Sequence, residues 1–232
     1  MNDEELLRCF QRGLIPGPQE SEEAFLVRIA RSPSLSHPEW QEASSKTQAL
    51  WGYCIDWMPI HYSNRQLAWW EGAATWISDR PFIQLRKGFQ KGRYLGHDRT
   101  EILAHEAVHS ARIQFHEPQF EEMLAYSVST KAWKRFLGPL FSRSWEPLVL
   151  VAAIFGGFFW VTIPILVFSF SLAWLGWSHS LFRKRRKILP FSVVLCLTDR
   201  EIRTGQIELG CETLRMRVIR LLLDQTNKIV VN

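Results

Sequence analysis

Apolar and polar positions follow a different rhythm in each part of this chain. Residues 3–13 and 20–31 carry apolar side chains at helical spacing and are split by LIPGP at 14–18. Ser21 opens the second stretch, with acidic residues in its first turn, as a helix start prefers. SPSLSHPEW at 32–40 reads as a loop. Residues 51–62 are rich in aromatic and branched side chains and predict a strand interrupted at Pro59. A cap at Ser63 or Asn64 predicts a helix over about 65–77, and FIQLR at 82–86 a short strand. Asp98 lies three residues before Glu101, a capping-box spacing, and opens a helix to about Phe115. His116-Glu117-Pro118 breaks it, and a further helix runs to about 136. Thr198 and Glu201 form a second possible capping box ahead of one or two amphipathic helices.

One stretch departs from all of this. The 36 residues from Pro147 to Phe182 contain no Asp, Glu, Lys or Arg. A single helix of that length would reach about 54 Å, against a hydrocarbon core of roughly 30 Å. Two helices of about 17 residues fit better, with Thr162-Ile163-Pro164 as the apex, because proline disfavours helix in the residue before it. Trp145, Trp174 and Trp177 would then sit near one interface and Trp160 near the other.

The net charge of +5 changes meaning once its positions are read. Lys131, Lys134, Arg135 and Arg143 precede the apolar stretch, and Arg183, Lys184, Arg185, Arg186 and Lys187 follow it. Basic residues on both flanks mark the cytoplasmic side of a bilayer and not a nucleic-acid patch. The expected partner is a lipid bilayer, with no nucleic acid. Cys9, Cys54, Cys196 and Cys211 show no CxxC spacing and read as reduced thiols in a cytosolic compartment. The opening MNDEELLRCFQRG has no apolar core, so no signal peptide is expected.

The chemistry lies in HEAVH at 105–109. His105 and His109 at i and i+4 share a helical face and can reach one metal ion, with Glu106 beside them as a proton acceptor. An open zinc site takes three protein ligands. A second helix returning after a tight turn offers Glu121 and Glu122, of which the later fits better; His116 and Glu117 remain alternatives. Candidate donors to an oxyanion are Tyr126, Arg112, Tyr94 and His116. Two plainer readings compete. HEAVH could be the solvated face of a helix whose core face is Ile102, Leu103, Ala107 and Val108, or a structural zinc site. The latter usually needs four ligands, mostly Cys.

On HEAVH and EEMLAY the chain resembles the zincin metallopeptidases over about residues 80–136, and among them the gluzincins. That resemblance implies zinc held by His105, His109 and Glu122, with Glu106 as catalytic base. It implies Ala125 as the small residue three positions after the ligand, and the strand at 82–86 as the edge that pairs with substrate. Tyr126 stands where the group often has an Asp bonded to a ligand His. Arg112 and Phe115 stand where metzincins need Gly and His. The HtpX-type membrane proteases look like the nearest functional analogue.

The expected class is α+β: a mostly helical, zincin-like catalytic domain with a small sheet over 1–140, a transmembrane helical hairpin over 146–182, and a C-terminal helical segment over 188–232 packing on the cytoplasmic side. The expected function is a membrane-anchored zinc metallopeptidase acting on peptide or protein substrates, membrane-associated ones included. Its expected setting is a bacterial inner membrane, multi-pass, with the catalytic domain cytoplasmic. The alternative is a non-catalytic membrane-anchored interaction protein, which has no need of Glu106.

Overall fold

The computed structural model describes residues 1–231 apart from 36, 69, 79, 142–144, 158–159, 209 and 211, with backbone alone over 227–231. Arg143 and Cys211 therefore lie outside the described residues; Cys9, Cys54 and Cys196 are free.

Local chemistry sets most helix starts. Helix α1 (Asp3–Gln11) opens on a capping box between Asn2 and Glu5, and α2 (Glu22–Ala30) on the Ser21 hydroxyl. The next element, α3 (Pro38–Trp51), overlaps the expected loop at 38–40. Proline begins it, Gly52 at φ +80° ends it, and Trp40, Ala43, Thr47 and Trp51 turn inward along one stripe.

Strands β1 (Ile60–Tyr62), β2 (Ala73–Trp76) and β3 (Phe82–Leu85) form a mixed sheet in the order β1-β3-β2. Two expectations are corrected here. The described residues of 65–77 form no helix: bends and a turn lead into β2, which pairs antiparallel with β3 from Ala73–Leu85 to Trp76–Phe82. Backbone bonds to a partner strand outweigh weak local helix propensity. The strand at 82–86 is also not the edge. It is central, parallel to β1 on its other side, and β2 is an edge.

A two-residue ladder, β4 (Arg93–Tyr94) with β5 (His97–Asp98), leads into α4 (Arg99–Ala111). The Asp98 side chain caps α4 through the Thr100 N–H at 2.9 Å, but Glu101 does not complete a box. Its carboxylate accepts from Ser129 Oγ at 2.7 Å and Lys134 Nζ at 2.9 Å instead. The expected helix to 136 is two helices, α5 (Pro118–Tyr126) and α6 (Ala132–Leu137). Between them the Ser127 hydroxyl donates to Met123 O and the Ser129 hydroxyl accepts from Lys131 N–H, local bonds that compete with helix.

Helices α7 (Glu146–Gly156) and α8 (Thr162–Ile188) follow and pack against each other. They are not two equal spans. The first, of 11 residues, is about 16 Å long and the second, of 27, about 40 Å, so only α8 among the described residues is long and apolar enough to cross a membrane. Leu175, Ser178 and Phe182 of α8 are buried, while Trp160, Leu166 and Phe170 stand in the open. Helices α9 (Phe191–Leu195), α10 (Asp199–Thr204) and α11 (Leu214–Val231) complete the chain, with α10 opening on the Thr198–Glu201 capping box. One core cluster joins Leu6 and Trp51 to Val108, Leu124, Val194 and Ile219.

Candidate metal centre

Helix α4 has no solvated stripe at HEAVH. It packs against α3, α5 and β2, with Leu103, Ala104, Val108 and Ala111 fully buried and Glu106 only 6% exposed. A solvated amphipathic face does not describe these residues. Helix α5 returns along α4 because Pro118 starts it one short turn later, where His116 adopts φ +53°. Its first N–H groups, of Gln119 and Phe120, donate to the Asp199 carboxylate at 2.8 and 3.2 Å. The C-terminal segment thus caps the helix that carries the carboxylates.

His105, His109 and Glu122 form a group that could hold a metal ion. His105 Nε2 lies 3.2 Å from His109 Nε2 and 3.5 Å from Glu122 Oε2. His109 Nε2 lies 3.4 Å from Glu122 Oε1. Ligand atoms on a tetrahedral zinc, each bonded at about 2.0–2.1 Å, stand about 3.3 Å apart, so the donor set fits that ion. Burial and His109 push His105 well below the usual histidine range, which keeps it neutral as a ligand must be. Burial lifts Glu122 to about 7, with Glu106 and Glu121 adding to it against His109. Burial opposes charge on His109 too, but Glu122 and Glu121 outweigh it and raise it to about 10.

The remaining alternatives separate cleanly. Glu121 turns away from the three ligand atoms. Its Oε1 pairs with His109 Nδ1 at 3.2 Å, and its Oε2 accepts from Arg112 Nε at 2.6 Å. Burial resists its ionisation, but Arg112 and His109 hold its carboxyl below the usual range. Arg112 is 1% exposed and its Nη1 donates to the carbonyls of Leu195 and Leu197 at 2.5 and 2.9 Å. Its guanidinium also lies 4.0 Å over the Phe115 ring. Glu117 accepts from the Asp199 N–H at 2.6 Å, and His116 lines the cleft without joining the three ligand atoms.

Glu106 faces the same cleft, of about 800 Å³. One of its oxygens accepts from the Thr75 hydroxyl on β2 at 2.8 Å. Burial raises its pKa, with Thr75 and His109 pulling the other way. Of the expected oxyanion donors, Tyr126 stands over the site with its ring 4.6 Å from that of His105, edge to face. Burial, then Glu122, pushes its hydroxyl up to about 12, so it stays an O–H donor. Arg112 is committed to Glu121 and two carbonyls, and Tyr94 packs on Phe89 away from the cleft.

Thr75, Glu121 as a support for His109, and the Lys134–Glu101 pair were missed in the sequence. Thr75 lay in a segment with helical character. Lys134 read as a membrane flank but is 4% exposed, with His97 Nδ1 3.2 Å from its Nζ. For Glu121 a signal did exist: Arg112 lies nine residues earlier, on the facing helix end. No family model, curated protein or solved structure matches the chain.

Proposed function

We propose that this chain is a membrane-anchored, zinc-dependent metallopeptidase. The observation that carries the reading is the convergence of His105 Nε2, His109 Nε2 and the Glu122 carboxylate at 3.2–3.5 Å, with Glu106 in the same cleft. Zinc bound there would polarise a scissile carbonyl and acidify water. Glu106 takes a proton from the attacking water and returns it to the leaving amine. Thr75 holds one Glu106 oxygen, leaving the other for that exchange. Tyr126 is the donor best placed to meet charge developing on the carbonyl oxygen. The β2 edge lies beside α4, and Ala73 and Ala74 line the cleft, so an extended peptide can add to the sheet there. A non-catalytic interaction protein has no use for a buried Glu106 held by a dedicated threonine.

The anchor is the α7–α8 pair. Its large apolar side chains face outward, Phe170 at 72% exposure, which water would penalise and lipid would not. The basic run Arg183 to Lys187 at the base of α8 supports a cytoplasmic position for the catalytic body. The deciding experiment is elemental analysis of the detergent-purified full chain beside His105→Ala. About one zinc per wild-type chain and almost none in the variant is the expected result. Equal, negligible zinc in both would end the metallopeptidase reading.

A further inference from the structure

Helix α8 changes character at one point: apolar through Phe182, basic from Arg183. His179, Arg183, Arg186 and Lys187 recur at three- and four-residue spacing and share a face there. Helix α6 brings a fifth nitrogenous side chain, Arg135, to the same place from before the apolar stretch. These five line a cavity of about 470 Å³, walled by Met123, Ser127 and Phe182 among others. The wall is built. His179 Nε2 bonds Phe136 O at 2.9 Å and its ring stacks on that of Phe136 at 4.9 Å, which ties α6 to α8. Arg135 Nη1 donates to Ser129 O and Thr130 O at 2.8 and 3.1 Å, and Arg186 lies 3.8 Å over the Phe191 ring.

The charge in this cavity is unbalanced. No Asp or Glu lines it, and among the described residues none of Arg135, Arg183, Arg186 and Lys187 forms an ion pair. These four side chains are exposed, whereas the buried cations Arg112, Lys134 and Arg215 each pair with a carboxylate, of Glu121, Glu101 and Glu201. Four cations gathered without a counterion repel one another, and a multiply acceptor-bearing anion relieves that. The cavity also sits where α8 leaves the body, just below the exposed Trp174–Trp177 pair, whose rings are 4.9 Å apart. Tryptophans at that level mark the headgroup layer, and basic pockets at that depth suit anionic headgroups.

We infer that this cavity binds a phosphate group, with Arg135, Arg183, Arg186 and Lys187 as its cationic ligands. An anionic phospholipid headgroup and free inorganic phosphate share that chemistry. The lipid source rests on the membrane anchoring proposed above; the phosphate site does not.

The full chain in detergent, examined by native mass spectrometry with phosphatidylglycerol or phosphatidylcholine, separates these sources. A melting curve with and without inorganic phosphate runs beside it. Wild type is expected to retain phosphatidylglycerol over phosphatidylcholine by about tenfold or more. The double variant Arg135→Gln/Arg186→Gln should fall to parity. Arg183→Gln, whose side chain makes no hydrogen bond among the described residues, should lower the preference should the double variant not fold. Lys184→Gln, outside the cavity, should keep it. Lipid parity with a phosphate-induced rise in melting midpoint, lost in the variants, supports the site with free phosphate as its ligand. A wild type that shows neither lipid preference nor a phosphate response overturns the inference, as does a preference that survives the variants. Failure of anchoring looks different: the wild-type chain stays out of vesicles of either lipid while the phosphate curve still decides the site.

Discussion

The α4–α5 pair and the α7–α8 pair are both neighbouring helices joined by a short connection, and they are built inside out relative to each other. In α4–α5 the side toward the cleft carries two histidines, four glutamates and an arginine, with Glu101, Glu106 and Arg112 buried and the others half-buried. In α7–α8 the outward side carries Leu, Ile, Phe and Trp, with Ala153, Leu175, Ser178 and Phe182 the buried positions. Each pair breaks the ordinary rule of burial, in opposite directions. Buried polar groups cost free energy unless a partner compensates them. Exposed apolar groups cost free energy in water. The first pair presents a donor set that could hold a metal ion, and the second a helix long and apolar enough to cross a membrane.

The strongest test of the first pair is Glu106→Gln. The shape persists while proton acceptance is lost, so hydrolysis of a casein-type substrate should fall by about 10²–10⁴ with zinc content unchanged. A variant that cleaves like wild type would remove Glu106 from the chemistry. Next is Arg112→Met, which leaves Glu121 and two carbonyls without their cation. Denaturant unfolding in detergent should show a loss of about 3–5 kcal/mol, as for other buried pairs broken on one side. A loss below about 1 kcal/mol would mean that the Arg112 bridge to residues 195 and 197 carries little.

Glu121 and Glu122 should then fail to different degrees. Glu122→Ala should abolish stoichiometric zinc. Glu121→Ala should keep a site that binds zinc about 10–100-fold more weakly, because His109 loses the group that orients it. Competition with a chelator of known affinity measures both. The reverse order would make Glu121 the ligand. The smallest effect is expected at the second pair. Phe170→Ser should change the unfolding free energy of the body by no more than about 0.5 kcal/mol, whereas Leu124→Ala, fully buried, should cost about 2–5 kcal/mol. The same Phe170→Ser chain should partition less into vesicles. Equal destabilisation by the two changes would show that α8 is a core helix covered by protein.

Much of the site could be read from residue spacing. HEAVH needs only the helical repeat to place two imidazoles together, and Glu122 needs only a tight turn and a returning helix. Asp98, Ser21 and Thr198 announce helix starts through bonds that span a few residues. The errors cluster where a segment takes its structure from distant partners. Residues 73–76 become strand because β3 offers them a ladder, and Glu101 leaves its capping role because Lys134 and Ser129 reach it.

By itself, then, the sequence determined what short-range geometry and composition control: the capped helices, the paired histidines with their glutamate, the uncharged 36 residues and their basic ends. Tertiary structure alone decided which groups support that chemistry. Thr75 meets Glu106 across 31 residues, and Arg112 meets the carbonyls of Leu195 and Leu197 across 83 and 85. Arg135 joins Arg183, Arg186 and Lys187 only because α6 folds against α8. The physical reason is range. Helical repeats and caps act over about four residues, while the burial that forces a polar group to find a partner is a property of the assembled core.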